Sequence, residues 1–278
     1  YILRTWVDLP IHCISASEFR YGNYRINEKT LCIFVSQSGE TADTLAALKL
    51  SKEEGAQTLS ITNVLGSSLA RLSDFVLYTC AGPEIAVAST KAYTTQLVLL
   101  MCLCLITQLK EMPKVVEEML QQEDQMAKFA KLLTNQKDAY FIGRQLDYLS
   151  VLEGALKLKE VSYVHADAYM AGELKHGPIA LIEKDTVVIA LATQPNVAQK
   201  TISNILETVA RGAKVILIAS QNQNVEGFEY VIRIPDVDPM LSCIPATVLL
   251  QEFAYYVAKE KGCDVDKPRN LAKSVTVE

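Results

Sequence analysis

Apolar and polar positions along this chain fall into two alternating periods. Apolar runs at residues 31–36 and 186–192 read as buried strands, and each is followed by a helix-period segment that ends at a Gly-Ala pair before another strand-like run. Strand, helix, strand in that order predicts parallel pairing with helices on both faces, a three-layer αβα sandwich of the α/β class. A shift of 157 residues superimposes the two units without a gap. Gln37 falls on Gln194, Thr44 on Thr201, Gly55-Ala56 on Gly212-Ala213 and Ile61 on Ile218. The same shift lays 74–79 on 231–236, both strand-like, and the predicted long helix 90–109 on 247–266. Internal duplication is the economical explanation, and partial alignment of two generic α/β units is the alternative.

Further upstream, a shift of 155 pairs Ser17-Glu18-Phe19-Arg20-Tyr21-Gly22 with Gly172-Glu173-Leu174-Lys175-His176-Gly177. In the second copy a strand at 139–143 and a helix at about 147–163 precede this segment. Their counterparts in the first copy would lie before Tyr1, so the chain is expected to begin inside a domain, about twenty residues short of a complete pair. The expected organisation is a first domain over 1–110 that lacks its opening strand and most of its first helix, and a polar connecting helix at 111–134. A second domain over 135–262 and a tail over 263–278 complete it.

The 278 residues carry 27 Lys+Arg against 32 Asp+Glu, a formal charge of −5, with 50% hydrophobic and 21% charged residues. This composition excludes disorder and collagen and supplies a core for each domain. With no run of four or more Lys/Arg, the chain lacks the electrostatic footprint of a nucleic-acid partner. The longest apolar run, 97–106, is half of the ~20 residues that span a bilayer, so it is predicted to be a buried helix and no membrane partner is expected. Seven scattered cysteines without a CxxC pair read as reduced core thiols, and no Cys/His cluster has zinc spacing. The start has no basic region and no cleavage site, which makes the cytoplasm the expected location.

Five segments bear chemistry. Ser36-Gln37-Ser38-Gly39-Glu40-Thr41 sits at a strand-to-helix turn, where unpaired backbone N–H groups and three hydroxyls outline an anion site. No Lys or Arg lies between Thr30 and Leu48, but hydrogen bonds to a charged acceptor contribute ~1.5–3 kcal/mol each, so three or four donors suffice for a phosphate. An N-capped helix in which Ser38 or Thr41 merely satisfies backbone donors is the alternative. The repeat favours the anion site, because Thr193-Gln194-Pro195-Asn196 in the second copy loses the second Ser and the Gly. Gly82-Pro83-Glu84-Ile85-Ala86-Val87-Ala88-Ser89-Thr90-Lys91 enters an apolar helix, with Ser89 or Thr90 as an ordinary N-cap. Glu153, Lys157 and Glu160 share one helix face, either as a solvated salt-bridge face or around a common ligand, and the Gly154-Ala155 step favours burial. His176 lies between Lys175 and Gly177-Pro178, as a proton-transfer group or as a polar surface residue. The end of the chain carries Lys273 among small residues, where fraying is the ordinary outcome.

Taken together, SQSGETADT, GPEIAVASTKA, EGALKLKE, AGELKHGP and DKPRNLAKSVTVE resemble the isomerase half of the glucosamine-6-phosphate synthase family, the glutamine:fructose-6-phosphate aminotransferases. The resemblance covers essentially the whole chain and implies two tandem sugar-isomerase (SIS) domains. It implies conversion of fructose 6-phosphate and glutamine-derived ammonia to glucosamine 6-phosphate, with no metal or organic cofactor. Ser36, Gln37, Ser38 and Thr41 would hold the sugar phosphate, and Val87 and Ser89 would line the sugar site. Glu160 would be the base that moves a proton between C1 and C2, assisted by Lys157. His176 would open the sugar ring, its loop reaching the partner's site in a homodimer. Lys273 would form an imine at C2, which requires a neutral amine, and the tail from Ala272 to Val275 would close over the substrate and shape the ammonia path.

Two departures qualify the resemblance. The family's glutaminase domain is absent from this sequence, so ammonia would come from outside it. The Cys-Gly-Thr-Ser turn after the first domain's opening strand is absent too, which predicts a bared sheet edge and lower stability than that of a complete pair. The alternatives in function are a phosphosugar-sensing SIS module, which needs only the phosphate loop, and a related fructosamine-phosphate deglycase.

Overall fold

The computed structural model describes residues 2–105 and 108–273. They form two compact units, one of Tyr1–Leu105 with Asn270–Glu278 and one of Ile106–Arg269. The first holds α1 (Ile2–Trp6), α2 (Ala16–Phe19), β1 (Leu31–Ser36), α3 (Ala42–Glu53), β2 (Gln57–Thr62), α4 (Ser68–Leu72), β3 (Phe75–Tyr78) and α5 (Lys91–Leu105). Its three strands pair in parallel in the order β1-β2-β3. The second unit holds α6 (Met112–Leu120), α7 (Glu123–Ala130), β4 (Asp138–Gly143), α8 (Leu146–Ser162), β5 (His165–Met170) and β6 (Val187–Ala192). It continues with α9 (Ala198–Val209), β7 (Lys214–Ser220), β8 (Tyr230–Ile234) and α10 (Cys243–Glu260). Its sheet is parallel throughout, in the order β5-β4-β6-β7-β8.

The 157-residue shift lays β1, β2 and β3 on β6, β7 and β8, and α3 on α9, within two residues. The two sheets nevertheless bury their strands differently. Every residue of β6, held between β4 and β7, is buried, as a strand covered on both faces and both edges should be. In β1, which pairs only with β2, Leu31 and Val35 are 52% and 40% exposed. The segment that the repeat aligns with β5, residues 10–15, forms no strand. Among the paired strands β5 bonds only to β4, and the described part of the first unit offers no equivalent of β4.

The same asymmetry overturns the predicted burial of the apolar run at 97–106. Over 97–103, where side-chain burial is described, only Met101 is fully buried and Leu103 is 45% exposed, while Ile106 lies outside the described residues. The counterpart α10 is buried along α8, with Ile244, Leu249, Leu250 and Val257 closed off from solvent. Each such side chain contributes about 1.5–3 kcal/mol. The first unit has no described equivalent of α8, and the single-turn α1 packs on α5 instead.

Residues 111–134, expected as one connecting helix, are two helices broken at Gln121-Gln122. They belong to the second unit, because Met112, Val115, Met119, Met126 and Phe129 form a buried face on α10. The cysteines are also not uniformly core residues: Cys243 is buried, Cys32, Cys102 and Cys263 are half-buried, and Cys13 and Cys80 are exposed. The last two lie in loops rather than in the apolar runs that suggested burial. No described helix is long and apolar enough to cross a membrane.

Candidate functional site

The turn from β1 to α3 is built from hydroxyls. Ser36, at the buried end of β1, accepts from the Gly39 N–H at 3.1 Å, and its Oγ pairs with Thr41 Oγ1 at 3.1 Å. Ser38 Oγ takes the Glu40 N–H at 3.2 Å. Thr41 occupies the N-cap of α3, yet its side chain makes no capping bond, because its hydroxyl is turned to Ser36. The N-cap alternative for Thr41 therefore fails, and the first-turn N–H groups of α3 stay available for an anion. Gly39 has a φ of +66, and a Cβ there would lie 2.2 Å from Ser67 Oγ, so only glycine lets the loop lie against α4. The Glu40 carboxylate accepts the Ser68 N–H at 2.7 Å, which lowers its pKa and ties it to α4. Gln37 is half-buried and fixed through its carbonyl, which accepts the Asn63 N–H.

Lys273 lies in the same unit, and its ammonium donates to Glu84 Oε2 at 2.8 Å and to the Ala86 carbonyl at 2.7 Å. Glu84 is 4% exposed in its side chain and takes the N–H groups of Thr90 and Ala92 through its other oxygen. Burial raises its pKa, but the bonds from Lys273, Thr90 and Ala92 outweigh that and the net shift is downward. One carboxylate thus anchors the start of α5 and the lysine, in the place expected of Ser89 or Thr90. The Lys273 Nζ is engaged by Glu84 and the Ala86 carbonyl, so imine chemistry requires it to leave them as a neutral amine. Val87 and Ser89 are half-buried in the segment between Glu84 and α5, and Ala272 is exposed. Ser274 and Val275 of the expected tail lie outside the described residues.

In the second unit, α8 presents Glu153, Lys157 and Glu160 together. Lys157 Nζ is 2.5 Å from Glu160 Oε2 and 3.9 Å from Glu153 Oε1, with Lys157 and Glu153 each 7% exposed and Glu160 22%. This is a buried ion network, and the solvated face is excluded. Gly154 explains the burial: a Cβ there would meet Leu250 Cδ1 at 2.9 Å, so α10 packs directly on this helix. Burial pushes the Glu153 carboxyl up to about 7, against the pull of Lys157 and of the Gln251 amide that donates to it. One ammonium is thus shared between a carboxylate and a carboxyl near half-protonation at neutral pH. His176 is exposed on the turn after β5, held by its backbone to Glu173, and no described group bonds its ring.

Two acids in these sites carry no motif signal of their own. Glu84 sits among small residues, where a carboxylate ahead of a helix start is only a capping signal. Glu153 shares the helix face of Lys157 and Glu160, and it is burial, invisible in the local spacing, that moves its pKa.

The SIS domain family matches residues 1–106 and 132–257. Curated relatives named glutamine–fructose-6-phosphate aminotransferase (isomerizing) include that of Caldanaerobacter subterraneus subsp. tengcongensis, 52% identical over the whole chain, and that of Clostridium acetobutylicum, 50% identical. The chain spans about half the length of these relatives, 49% in each case. Among solved structures, the C-terminal domain of glucosamine-fructose-6-phosphate aminotransferase from Francisella tularensis is 38% identical. It matches with a TM-score of 0.86 over 91% of this chain and 77% of that one. A glucosamine-6-phosphate deaminase from Thermotoga maritima, 26% identical, matches with a TM-score of 0.78 over 94% and 80%.

Proposed function

The chain belongs to the SIS-domain family, and we propose that it performs the isomerase and sugar-transferase chemistry of glutamine–fructose-6-phosphate aminotransferases. The observation that carries this reading is the pairing of an uncapped hydroxyl loop with Lys273 in the first unit. A sensor of phosphosugars needs the loop and has no use for a lysine anchored on a buried carboxylate.

On this reading Ser36, Gln37, Ser38, Thr41 and the first N–H groups of α3 hold the phosphate of fructose 6-phosphate. His176 opens the ring. Lys273, released from Glu84 as the neutral amine, adds to the C2 carbonyl and loses water to form the imine. Ammonia then displaces the lysine at C2. Glu160 removes a proton from C1 and returns it to C2, with Lys157 stabilising the carboxylate and Glu153 steadying the lysine's charge. The products are glucosamine 6-phosphate and the regenerated lysine. Ammonia would come from a glutaminase domain outside this sequence. A homodimer is part of the reading, and the exposed apolar stripe of Leu149, Leu152 and Leu156 on α8 supports it. Exposed free thiols at Cys13 and Cys80 suit a cytoplasmic location.

The test is incubation with fructose 6-phosphate, with an assay for glucose 6-phosphate and borohydride trapping. Turnover and a reduced adduct on Lys273 are expected. Binding without either would establish the sensor instead.

A further inference from the structure

A shallow, open cleft lies in the second unit, lined by Arg144, Gln199, Lys200, Ser203 and Asn204. Arg144 follows β4 directly, and Lys200 lies in the first turn of α9, which follows β6. Both therefore stand at the carboxyl ends of neighbouring parallel strands, where open α/β sheets bind ligands.

The charge in this cleft is uncompensated. Arg144 makes no ion pair among the described residues. Its Nη2 donates to Asn204 Oδ1 at 2.8 Å, while its buried Nε has no partner. Lys200 is exposed and likewise unpaired among the described residues. The nearest acid on the same helix, Glu207, is turned to the Asn204 amide at 3.4 Å. The guanidinium has a prepared seat: a Cβ on Gly172 would come within 2.9 Å of Nη2 and 3.2 Å of Nη1. Holding an arginine half-buried without a carboxylate costs free energy that an anionic ligand would return.

The fold does not demand this polarity. The 157-residue shift places Lys200 on Asp43, Ser203 on Ala46 and Asn204 on Ala47. The first copy thus has an acid and two alanines where the second has a cation, a hydroxyl and an amide. Nor does the cleft repeat the hydroxyl loop of the first unit. The donors at the equivalent turn are spent internally, since Thr193 N–H and Oγ1 both donate to the buried Asp147.

We propose that the Arg144–Lys200 cleft binds the phosphate group of a small hydroxylated metabolite, at a site separate from the Ser36–Thr41 loop. Arg144 supplies a fixed two-pronged donor, Lys200 a mobile charge, and Gln199, Ser203 and Asn204 the donors and acceptors that meet hydroxyl groups.

Amide NMR of the whole chain during titration with inorganic phosphate tests this. The amides of Lys200, Ser203 and Asn204 are expected to shift saturably. Lys200→Glu, at an exposed position that leaves packing intact, is expected to weaken that response at least 10-fold without altering the response at Ser36–Thr41. No saturable shift at 199–204, an equal response in Lys200→Glu, or the same shift with sodium chloride at matched ionic strength would overturn the proposal. A response at 199–204 with none at 36–41 would uphold this cleft and remove the phosphate loop from the proposed function, so the two readings fail separately.

Discussion

Gly39→Ala should disable the proposed phosphate loop by a collision whose size follows from the structure. The added Cβ would lie 2.2 Å from Ser67 Oγ, 2.6 Å from Ser67 Cβ and 2.9 Å from Thr62 Oγ1. Ser67 has nowhere to go, being 3% exposed and engaged in capping α4 through the Ala70 N–H. The backbone must therefore shift by about 1 Å or Ser67 must abandon its cap. Overpacking costs about 1–3 kcal/mol or, where Ser67 gives way instead, loss of its cap about 1, and the left-handed φ for alanine adds about 1–2, for a total of about 2–5 kcal/mol. Gly66→Ala is the matched control. It has a φ of +67 and nothing within 4 Å of the new atom, so it carries only the backbone cost of about 1–2 kcal/mol. Urea unfolding of both variants, followed by calorimetric titration with fructose 6-phosphate, measures the difference. Losing even one charged hydrogen bond in the displaced loop weakens binding about 10-fold or more. Equal stability of the two variants, with unchanged affinity in Gly39→Ala, would refute the reasoning.

Lys273→Arg keeps the charge facing Glu84 but cannot form an imine; fructose 6-phosphate binding should survive while borohydride trapping disappears completely, and a trapped adduct at wild-type yield would contradict the role. Glu160→Gln should slow exchange of the C1 proton of fructose 6-phosphate with solvent by about 100-fold or more without weakening binding, measured by deuterium incorporation. An unchanged exchange rate would remove Glu160 as the base. Asp147, 1% exposed, has its carboxyl raised by burial from 3.8 to about 6, so its contribution to stability is fully present below about 4 and is lost as pH rises through 6. In Asp147→Asn that loss is absent, and between pH 5 and 7.5 the variant should gain about 1.4 kcal/mol relative to the wild type in urea midpoints; a constant gap would show that Asp147 stays charged throughout.

The duplicated α/β plan was legible because strand and helix periods survive a fixed shift, and Thr44 and Thr201 occupy matching buried positions. The hydroxyl loop was legible for the same reason: one copy carries Ser38 and Gly39 where the other does not. What stayed hidden depends on distant packing. The pattern at 97–106 is apolar on nearly every face, which reads as burial. How much of it is buried depends on a neighbouring helix that the second unit possesses in α8. The charge state of Glu153 follows from α10 lying against Gly154, a contact made across almost a hundred residues of sequence. Glu84 and Lys273 meet across an even longer separation, and no local spacing rule connects them.

On the proposed reading, little separates a binding turn in the first unit from a structural one in the second. Ser36 and Gln37 superimpose on Thr193 and Gln194 under the 157-residue shift, so both turns begin with a hydroxyl and an amide at the end of a strand. In the second unit the hydroxyl and backbone N–H of Thr193 converge on Asp147, and the Gln194 N–H adds to them. The Gln194 side chain closes the arrangement on Ser242 and Pro239. A buried carboxylate satisfies the donors from within, at the cost of a raised pKa. In the first unit the corresponding hydroxyl of Ser36 turns to Thr41 and Gly39, and Glu40 is drawn off to Ser68. No described carboxylate fills the loop; Ser36 and Ser38 take the Gly39 and Glu40 N–H groups, and the first-turn N–H groups of α3 are the donors left for the proposed anion. On the proposed reading, a dianionic phosphate would meet more of those donors than one carboxylate does, so a loop without a single cation would suffice to hold it.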